Sequence, residues 1–330
     1  MTVNRISKGL DPDHVPMDGV GLAATASVAV LLCTRDGERF LEEQIASISR
    51  QTHQNFKIYV SDDGSSDSTR AIVTAHVERL GHECIELTHG PVEGFARNFL
   101  SVSCRADVNA DYYAWCDQDD IWNEDKLQIA VDKLAGGDSS VPALYCSRTE
   151  LIDEHGQSIG FSSFFSKPAT FQNALVQNIA GGNTMVFNQA LMDLIREAGD
   201  RVPAASHDWW AYMIVSGCNG RIYYDATPTV RYRQHSLNCI GTNRGFRNNS
   251  KRAKELWRGR YQRWIDNNIV SLQVISHRFT AENRKILERF SEARKNRFFG
   301  RLWGFMRSGV YRQTLMGNLG LVVAVIMRRV

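Results

Sequence analysis

The chain has 330 residues, enough for one α/β domain with an extension or for two domains. Its hydrophobic content of 43% excludes wholesale disorder, and 25 Gly with 7 Pro exclude a collagen-like or linker-rich chain. The net charge of +3 conceals an asymmetry, because residues 1–240 hold 19 Lys and Arg against 31 Asp and Glu, whereas residues 241–330 hold 20 against 5. The basic end is therefore expected to face an anionic surface, either membrane or nucleic acid.

The N-terminal region contains no convincing targeting signal. Residues 20–33 are apolar enough for a signal-peptide core, but three aspartates precede them and no clean cleavage site follows. We predict poor order for residues 1–25 and a buried first strand at residues 28–33. The seven cysteines are scattered and form no Cys-x-x-Cys pair, which argues against a disulfide framework or a zinc site and favours a reducing compartment.

Strand-like and helix-like segments alternate after residue 28. We predict strands at residues 28–33, 56–60, 84–87 and 112–116, and helices at residues 40–50, 66–80 and 95–102. This alternation predicts β-α-β units and a parallel sheet. Beyond residue 140 the pattern is mixed, with short strands at 143–147, 185–187, 221–224 and 230–233, and basic amphipathic helices at 248–297.

Polar clusters follow three of the predicted strands, at residues 34–38, 62–67 and 117–120. Ligands of open α/β sheets bind at the carboxyl ends of strands, so these clusters are expected to form one site. Asp117, Asp119 and Asp120 would repel one another without a cation, donors or protonation. A hard divalent cation suits them, but so does a solvated turn or the N-cap of a helix at residues 123–134.

Four further features have two readings each. Asp62 and Asp63 suit hydrogen bonds from a ribose or a base, or an Asx turn before the next helix. The loop at residues 181–184 is rich in donors and fits a substrate loop or a plain turn. Residues 206–210 place a His-Asp pair beside two tryptophans. This segment fits a general base in a partly dry pocket, or an ordinary helix N-terminus. His235 would complete a metal site or lie on the surface.

Taken in order, these motifs resemble the family 2 glycosyltransferases with the GT-A fold, over roughly residues 27–240. The resemblance rests on residues 28–41, 47–52 and 61–67, Asp-Gln-Asp-Asp-Ile-Trp at 117–122, His-Asp-Trp-Trp at 207–210 and Tyr-Arg-Gln-His at 232–235. The last three are similar to the rhamnosyltransferase branch. The implied fold is α/β, a Rossmann-like nucleotide-diphospho-sugar transferase domain at residues 26–240 with a basic helical extension at 241–330.

The resemblance also implies roles for individual residues. The implied nucleotide contacts are Cys33, Thr34, Arg35, Glu38, Asp63, Arg97 and Asp117, with Asp63 at the pyrimidine and Asp117 at the ribose. Asp119 would bind a divalent cation, Mg²⁺ or Mn²⁺, with His235 as a second ligand or a diphosphate contact. Asp208 would be the catalytic base. Many relatives have an acidic residue where this chain has His207, and an aromatic one where it has Arg35, so the role of His207 and the mode of base stacking stay open.

The implied reaction is an inverting transfer of a sugar, L-rhamnose from dTDP-β-L-rhamnose, to a hydroxyl of a cell-surface glycan on a lipid carrier. Donors based on UDP, and a non-catalytic glycan-binding protein, are the alternatives. A nucleotidyltransferase would need a glycine-rich phosphate loop that residues 34–40 lack, and a nucleic-acid-binding role is disfavoured by the acidic body. We expect residues 315–327, too short to span a bilayer, to hold the enzyme at the inner face of the plasma membrane, while the basic helices also fit a homodimer contact.

Overall fold

The computed structural model describes residues 25–235 and 259–330. The predictions for residues 1–24, for Cys239 and for the helix start at 248–258 lie outside the described residues. The strands, in chain order, are β1 (Val28–Thr34), β2 (Phe56–Asp62), β3 (Ile85–His89), β4 (Tyr112–Asp117), β5 (Ile121–Trp122), β6 (Ala143–Ile152), β7 (Ser158–Phe161), β8 (Val186–Asn188) and β9 (Arg221–Arg233). They form one sheet in the order β3-β2-β1-β4-β8-β6-β9-β5, and β7 pairs with β6.

The first half of the sheet is parallel, as the β-α-β pattern predicts. Strands β2 and β4 flank β1, and β3 pairs with β2, all in parallel register. Every residue of β1 is buried, because helices cover both faces of a parallel sheet. The apolar run at residues 28–33 is therefore confirmed as a central strand.

The second half of the sheet is mixed, and here one prediction is wrong. Residues 221–224 and 230–233 are not two strands but parts of β9, which runs parallel to β6 with a register shift between Ser147 and Thr149. Four residues of β9, 226–229, lie at that shift and include Pro228. Proline has no backbone N–H to donate to the hydrogen-bond ladder, so it suits this irregular position. The two-residue β5 and the half-exposed β7 lack an apolar alternation long enough to be recognised in the sequence.

The helices are α1 (Leu41–Ser49), α2 (Thr69–Leu80), α3 (Phe95–Ser103), α4 (Lys126–Ala135), α5 (Phe171–Ala174), α6 (Gln189–Ala198), α7 (His207–Gly217), α8 (Arg260–Ile275), α9 (Ala281–Lys295), α10 (Phe298–Ser308) and α11 (Leu315–Ile326). Helix α4 begins three residues later than predicted, and Asp125 stands at its N-cap. The aspartates at 117–120 therefore do not cap it, which removes the N-cap reading and leaves a cation site or a solvated turn.

The core has two parts, one on each face of the sheet. The part that contains Trp115 and Trp210 also contains Ile265, Leu272 and Phe290 from the C-terminal helices. Helix α8 packs against α6 and α7, so the C-terminal helices share the core of the sheet domain. Among the described residues, no helix is both long enough and apolar enough to cross a membrane.

Candidate active site

The three predicted polar clusters meet at the carboxyl edge of the parallel strands. Cys33 of β1 stands in register with Ser61 of β2 on one side and with Asp117 of β4 on the other. Cys33 is buried, and burial together with the charges of Asp117 and Asp63 raises the pKa of its thiol well above the usual value. It therefore lines the site as a neutral side chain and is not a nucleophile.

Gln118 connects the loop after β1 to the loop after β4 through two hydrogen bonds. Its Oε1 accepts a hydrogen bond from the Arg35 backbone N–H at 2.8 Å, and its Nε2 donates to the Arg35 carbonyl at 2.8 Å. A Cβ at Gly37 would lie 2.2 Å from the same Oε1, so only glycine fits beside this amide. The Arg35 guanidinium stays exposed, 3.8 Å from Asp63.

Asp62 and Asp63 have different surroundings although they are adjacent. Asp62 accepts hydrogen bonds from the Ser65 backbone N–H at 3.1 Å and from the Thr34 hydroxyl at 3.1 Å, which is the Asx turn expected before α2. Asp63 instead accepts the backbone N–H groups of Val92 at 2.6 Å and Gly94 at 2.9 Å, one on each oxygen. Asp63 is thus a rigid, buried acceptor that holds the loop after β3 against the site.

The aspartates at the end of β4 lie close enough that each disfavours the ionised form of its neighbours. Burial and the charges of Asp119 and Asp208 raise the pKa of Asp117 to about 8. Asp120 is completely buried, and its pKa is raised well above the usual value by burial and by Asp119 and Asp117. Its oxygens accept hydrogen bonds from the Asn183 amide at 2.6 Å and from the Arg233 backbone N–H at 3.0 Å. Asp120 therefore joins the loop at 181–184 to β9.

His235 and Asp119 face each other across the edge of the site. The Nε2 atom of His235 lies 2.7 Å from Oδ2 of Asp119. Within the described ranges, no group of three or more His, Cys, Asp or Glu is arranged to hold a metal. This pair offers one oxygen and one nitrogen ligand at adjacent positions, which fits a divalent cation that takes its other ligands from water and phosphate oxygens.

Asp208 lies in the first turn of α7, at the end that favours negative charge. Its Oδ1 accepts hydrogen bonds from the Ser206 hydroxyl and from the Trp209 backbone N–H at 2.6 Å. Its Oδ2 has no hydrogen bond to the rest of the described chain. The structure confirms a helix N-terminus with buried tryptophans, while the general base stays a prediction. The charge of this carboxylate reaches Asp117.

His207 lies in an aromatic cage under the site. Its ring stacks on Phe99 at 3.9 Å between centroids and meets Trp115 edge-on at 4.7 Å. Both ring nitrogens are buried without a hydrogen-bond partner among the described residues, and burial lowers the pKa of the imidazole to about 4. A Cβ at Gly182 would lie 2.3 Å from Nε2, so the neutral ring packs directly against the 181–184 loop.

Two predicted nucleotide contacts point elsewhere in this structure. The Glu38 carboxylate accepts the Ser68 backbone N–H at 2.9 Å, just before α2. The Arg97 guanidinium lies 3.0 Å from Asp200 and 3.4 Å from Glu93, on the side of α3. Their role at the nucleotide stays a prediction, whereas Cys33, Thr34, Arg35, Asp63, Asp117, Asp119, Asp208 and His235 all lie on the elements that form the site.

The sequence interpretation missed three residues of the site: Arg233, Asn183 and Gln118. Arg233 is buried, donates from Nε to the Asp119 carbonyl at 2.9 Å, and pairs with Glu43. Arg233 and Gln118 both lie inside motifs recognised in the sequence. The signal that could have identified them is a charged or amide side chain next to a predicted site residue. Asn183 lies in the donor-rich loop and anchors that loop to Asp120, while a role of the loop in substrate binding stays a prediction.

Known proteins resemble this chain in sequence and in fold. The family model for glycosyl transferase family 2 matches residues 27–195, just over half of the chain. The chain belongs to this family. The dTDP-rhamnosyl transferase RfbG of Shigella flexneri is 31% identical over 232 residues, which make 67% of this chain and 77% of that protein. An uncharacterized glycosyltransferase of Rickettsia typhi, RT0329, is 22% identical over 267 residues, 77% of this chain and 78% of the relative.

Among solved structures, residues 1–349 of S. aureus TarS in complex with UDP superpose with a TM-score of 0.51 at 15% identity, covering 86% of this chain and 80% of that one. At this identity the likeness concerns the fold alone. With the mixed sheet and the family match, it confirms the predicted GT-A-like architecture with a helical C-terminal region. The predicted membership of glycosyltransferase family 2 is therefore confirmed. The predicted alternatives outside that family are set aside.

Proposed function

We propose that this family 2 glycosyltransferase transfers L-rhamnose from dTDP-β-L-rhamnose to a hydroxyl of a glycan acceptor, with inversion at the anomeric carbon. The observation that supports it most is the position of Asp208, a carboxylate with one fixed and one open oxygen on a helix end that faces the strand-end aspartates. The donor is proposed from the 31% identity to a named dTDP-rhamnosyl transferase.

The nucleotide would lie along the carboxyl edge of β1, β2 and β4. Asp63 would accept a hydrogen bond from the pyrimidine, since its lone pairs are oriented by two backbone N–H groups. Asp117, which stands in register with Cys33, would accept a hydrogen bond from the ribose. Arg35 is exposed beside Asp63 and would contact the nucleotide from the solvent side.

Asp119 and His235 would hold a divalent cation at the diphosphate. Such an ion, when bound, neutralises the phosphate oxygens and stabilises the leaving diphosphate. The residues fit it because the Asp119 and His235 ligand atoms lie side by side. Burial and repulsion raise the pKa values of Asp117 and Asp120, and a cation there would relieve the repulsion. Arg233 supports the pair from behind through the Asp119 carbonyl.

In the transfer step, Oδ2 of Asp208 would accept the proton of the acceptor hydroxyl. The acceptor oxygen forms a bond to the anomeric carbon as the bond from that carbon to the β-phosphate oxygen breaks. The nucleoside diphosphate leaves with the electron pair, and the proton stays on Asp208. A single displacement inverts the anomeric centre, so the β-linked donor gives an α-rhamnoside.

The test is Asp208→Asn, because an amide keeps the size and one acceptor but does not take the proton. We expect turnover to fall by roughly 10²–10⁴-fold while donor affinity stays within about twofold. Asp132→Asn, an exposed aspartate of α4, is the matched control and should keep full turnover. Near-normal turnover by Asp208→Asn with intact donor binding would remove Asp208 as the base.

A further inference from the structure

The last two helices expose an unusual amount of apolar surface. Of the 18 large apolar side chains exposed in the described part of the chain, 11 lie in residues 298–327. On α11 they recur at Leu315, Leu319, Val322 and Ile326, which is one face of a helix. On α10, Phe299 and Trp303 are 82% and 61% exposed. A patch of this density marks an interaction site.

The opposite faces of the same helices are anchored. Phe305 of α10 and Leu321 and Val325 of α11 are buried in the core that contains α8 and α9. The two helices also pack against each other. Their outward apolar faces therefore belong to a fixed platform of the fold, defined here as the docking face, residues 297–330.

The charge around the docking face has one sign. Residues 297–330 carry six Arg and no Asp or Glu, and of the six only Arg301 is buried. Arg297 and Arg307 are exposed at the two ends of α10. Aromatic and aliphatic side chains with a basic rim match the interface of an anionic bilayer, where each cationic side chain gains from the surface potential. A protein partner of neutral or basic charge would not match this rim.

The docking face is also tied to the substrate side of the site. Tyr311 and Gln313, between α10 and α11, bond to the segment that precedes the 181–184 loop. Gln313 accepts the Lys167 backbone N–H at 3.0 Å and donates from its backbone to Gln177 at 2.8 Å. The Asn173 amide donates to the Tyr311 carbonyl at 2.9 Å. These bonds fix the docking face to residues 167–177, the segment that precedes the 181–184 loop.

We infer that residues 297–330 dock onto an anionic lipid surface, with the apolar faces of α10 and α11 in the interfacial layer and the arginines at the headgroups. No helix of the described chain could span the bilayer, and the docking needs none. The enzyme is then peripheral, at the cytoplasmic leaflet, where anionic lipids lie. This inference does not depend on the donor sugar, and its failure would leave the proposed reaction untouched.

The experiment is flotation of the full chain with vesicles of phosphatidylcholine containing phosphatidylglycerol, against pure phosphatidylcholine. The test variant is Leu319→Ser/Val323→Ser, an exposed pair one helical turn apart on α11. The matched control is Val270→Ser/Val274→Ser, a pair with the same spacing and exposure on α8. We expect the test variant to partition at least about tenfold less, and the control to bind like the parent.

A second arm tests the charge. Arg297→Glu/Arg307→Glu should lose binding to the anionic vesicles, and raised salt should weaken the binding of the parent chain. Circular dichroism verifies that every variant is folded. Equal partition of parent and test variant, or equal binding to both vesicle types, would overturn the inference. So would sedimentation showing that the Leu319→Ser/Val323→Ser chain turns from dimer to monomer without any change in vesicle binding, since the face would then be covered by a second copy.

Discussion

A buried lysine provides a test of the fold that is independent of the reaction. Lys126 begins α4, is completely buried, and has no hydrogen-bond partner for Nζ among the described residues. Its Nζ lies 3.8 Å from the centroid of the Trp122 ring. Burial lowers the pKa of Lys126 from 10.5 to about 7. Cys116 and Asp120 raise this pKa and so offset a smaller part of the shift.

The sign of the pH effect follows from this lowered pKa. The unfolded chain holds the proton up to about pH 10.5, whereas the folded chain releases it near pH 7. Unfolding therefore takes up a proton between these values, and the stability of the protein rises with pH across this window. The full penalty of about 5 kcal/mol applies below pH 7 and disappears above pH 10.5. Contact with the Trp122 face favours the charged form by up to about 2 kcal/mol, so it offsets the penalty only below about pH 7.

We expect Lys126→Met to be about 4 kcal/mol more stable than the parent at pH 7.5, because methionine fills the same space without a charge. The gap should narrow by about 2 kcal/mol when the pH is raised to 9.5. The assay is urea unfolding at both pH values. Lys133→Met, on the exposed side of the same helix, is the control and should shift neither value. A parent chain that is the more stable one at pH 7.5, or a gap independent of pH, would refute the reasoning.

Three further predictions concern the floor and the edge of the site. Because the folded pKa of His207 is about 4 and that of the unfolded imidazole about 6.5, stability should fall by about 3 kcal/mol as the pH drops through this window, and His207→Phe should remove that fall in acid denaturation. Gly182→Ala should cost roughly 1–3 kcal/mol and lower turnover, because its Cβ meets His207, whereas Gly136→Ala, with open space around it, should be neutral in thermal melts. Asp63→Asn replaces one of two acceptor oxygens by a donor that faces a backbone N–H, and calorimetry should show donor affinity falling about tenfold or more.

How much of the fold the sequence predicts depends on how local the signal is. The strand at residues 28–33 and the helix at 40–50 are predicted within one or two residues, because uninterrupted burial and helical spacing mark them directly. The sequence predicts two strands where the structure has β9, because the chain around Pro228 resembles a turn. Only the pairing with β6, across a register shift, joins both parts into one strand. Such pairing is a tertiary property that no short window displays.

The residues of the site also differ in how far the sequence alone predicts them. The strand-end position of Asp63, Asp117 and Asp119 follows from sheet topology, so the sequence suffices to bring them together. The bonds that fix them come from distant segments: Asn183 to Asp120, and Arg233 to the Asp119 carbonyl. These partners are separated by 63 and 114 residues in the chain, which is why a motif search finds the acids and misses what orients them.

The measurement that tests the central claim most directly is donor binding and hydrolysis with dTDP-rhamnose, UDP-glucose, UDP-galactose, UDP-N-acetylglucosamine and GDP-mannose, each with and without Mn²⁺ or Mg²⁺. The account predicts cation-dependent preference for dTDP-rhamnose, lost in Asp119→Asn. Preference for a UDP-sugar would keep the family and the base but contradict the proposed donor. Binding of no donor under any condition would contradict the proposed reaction itself.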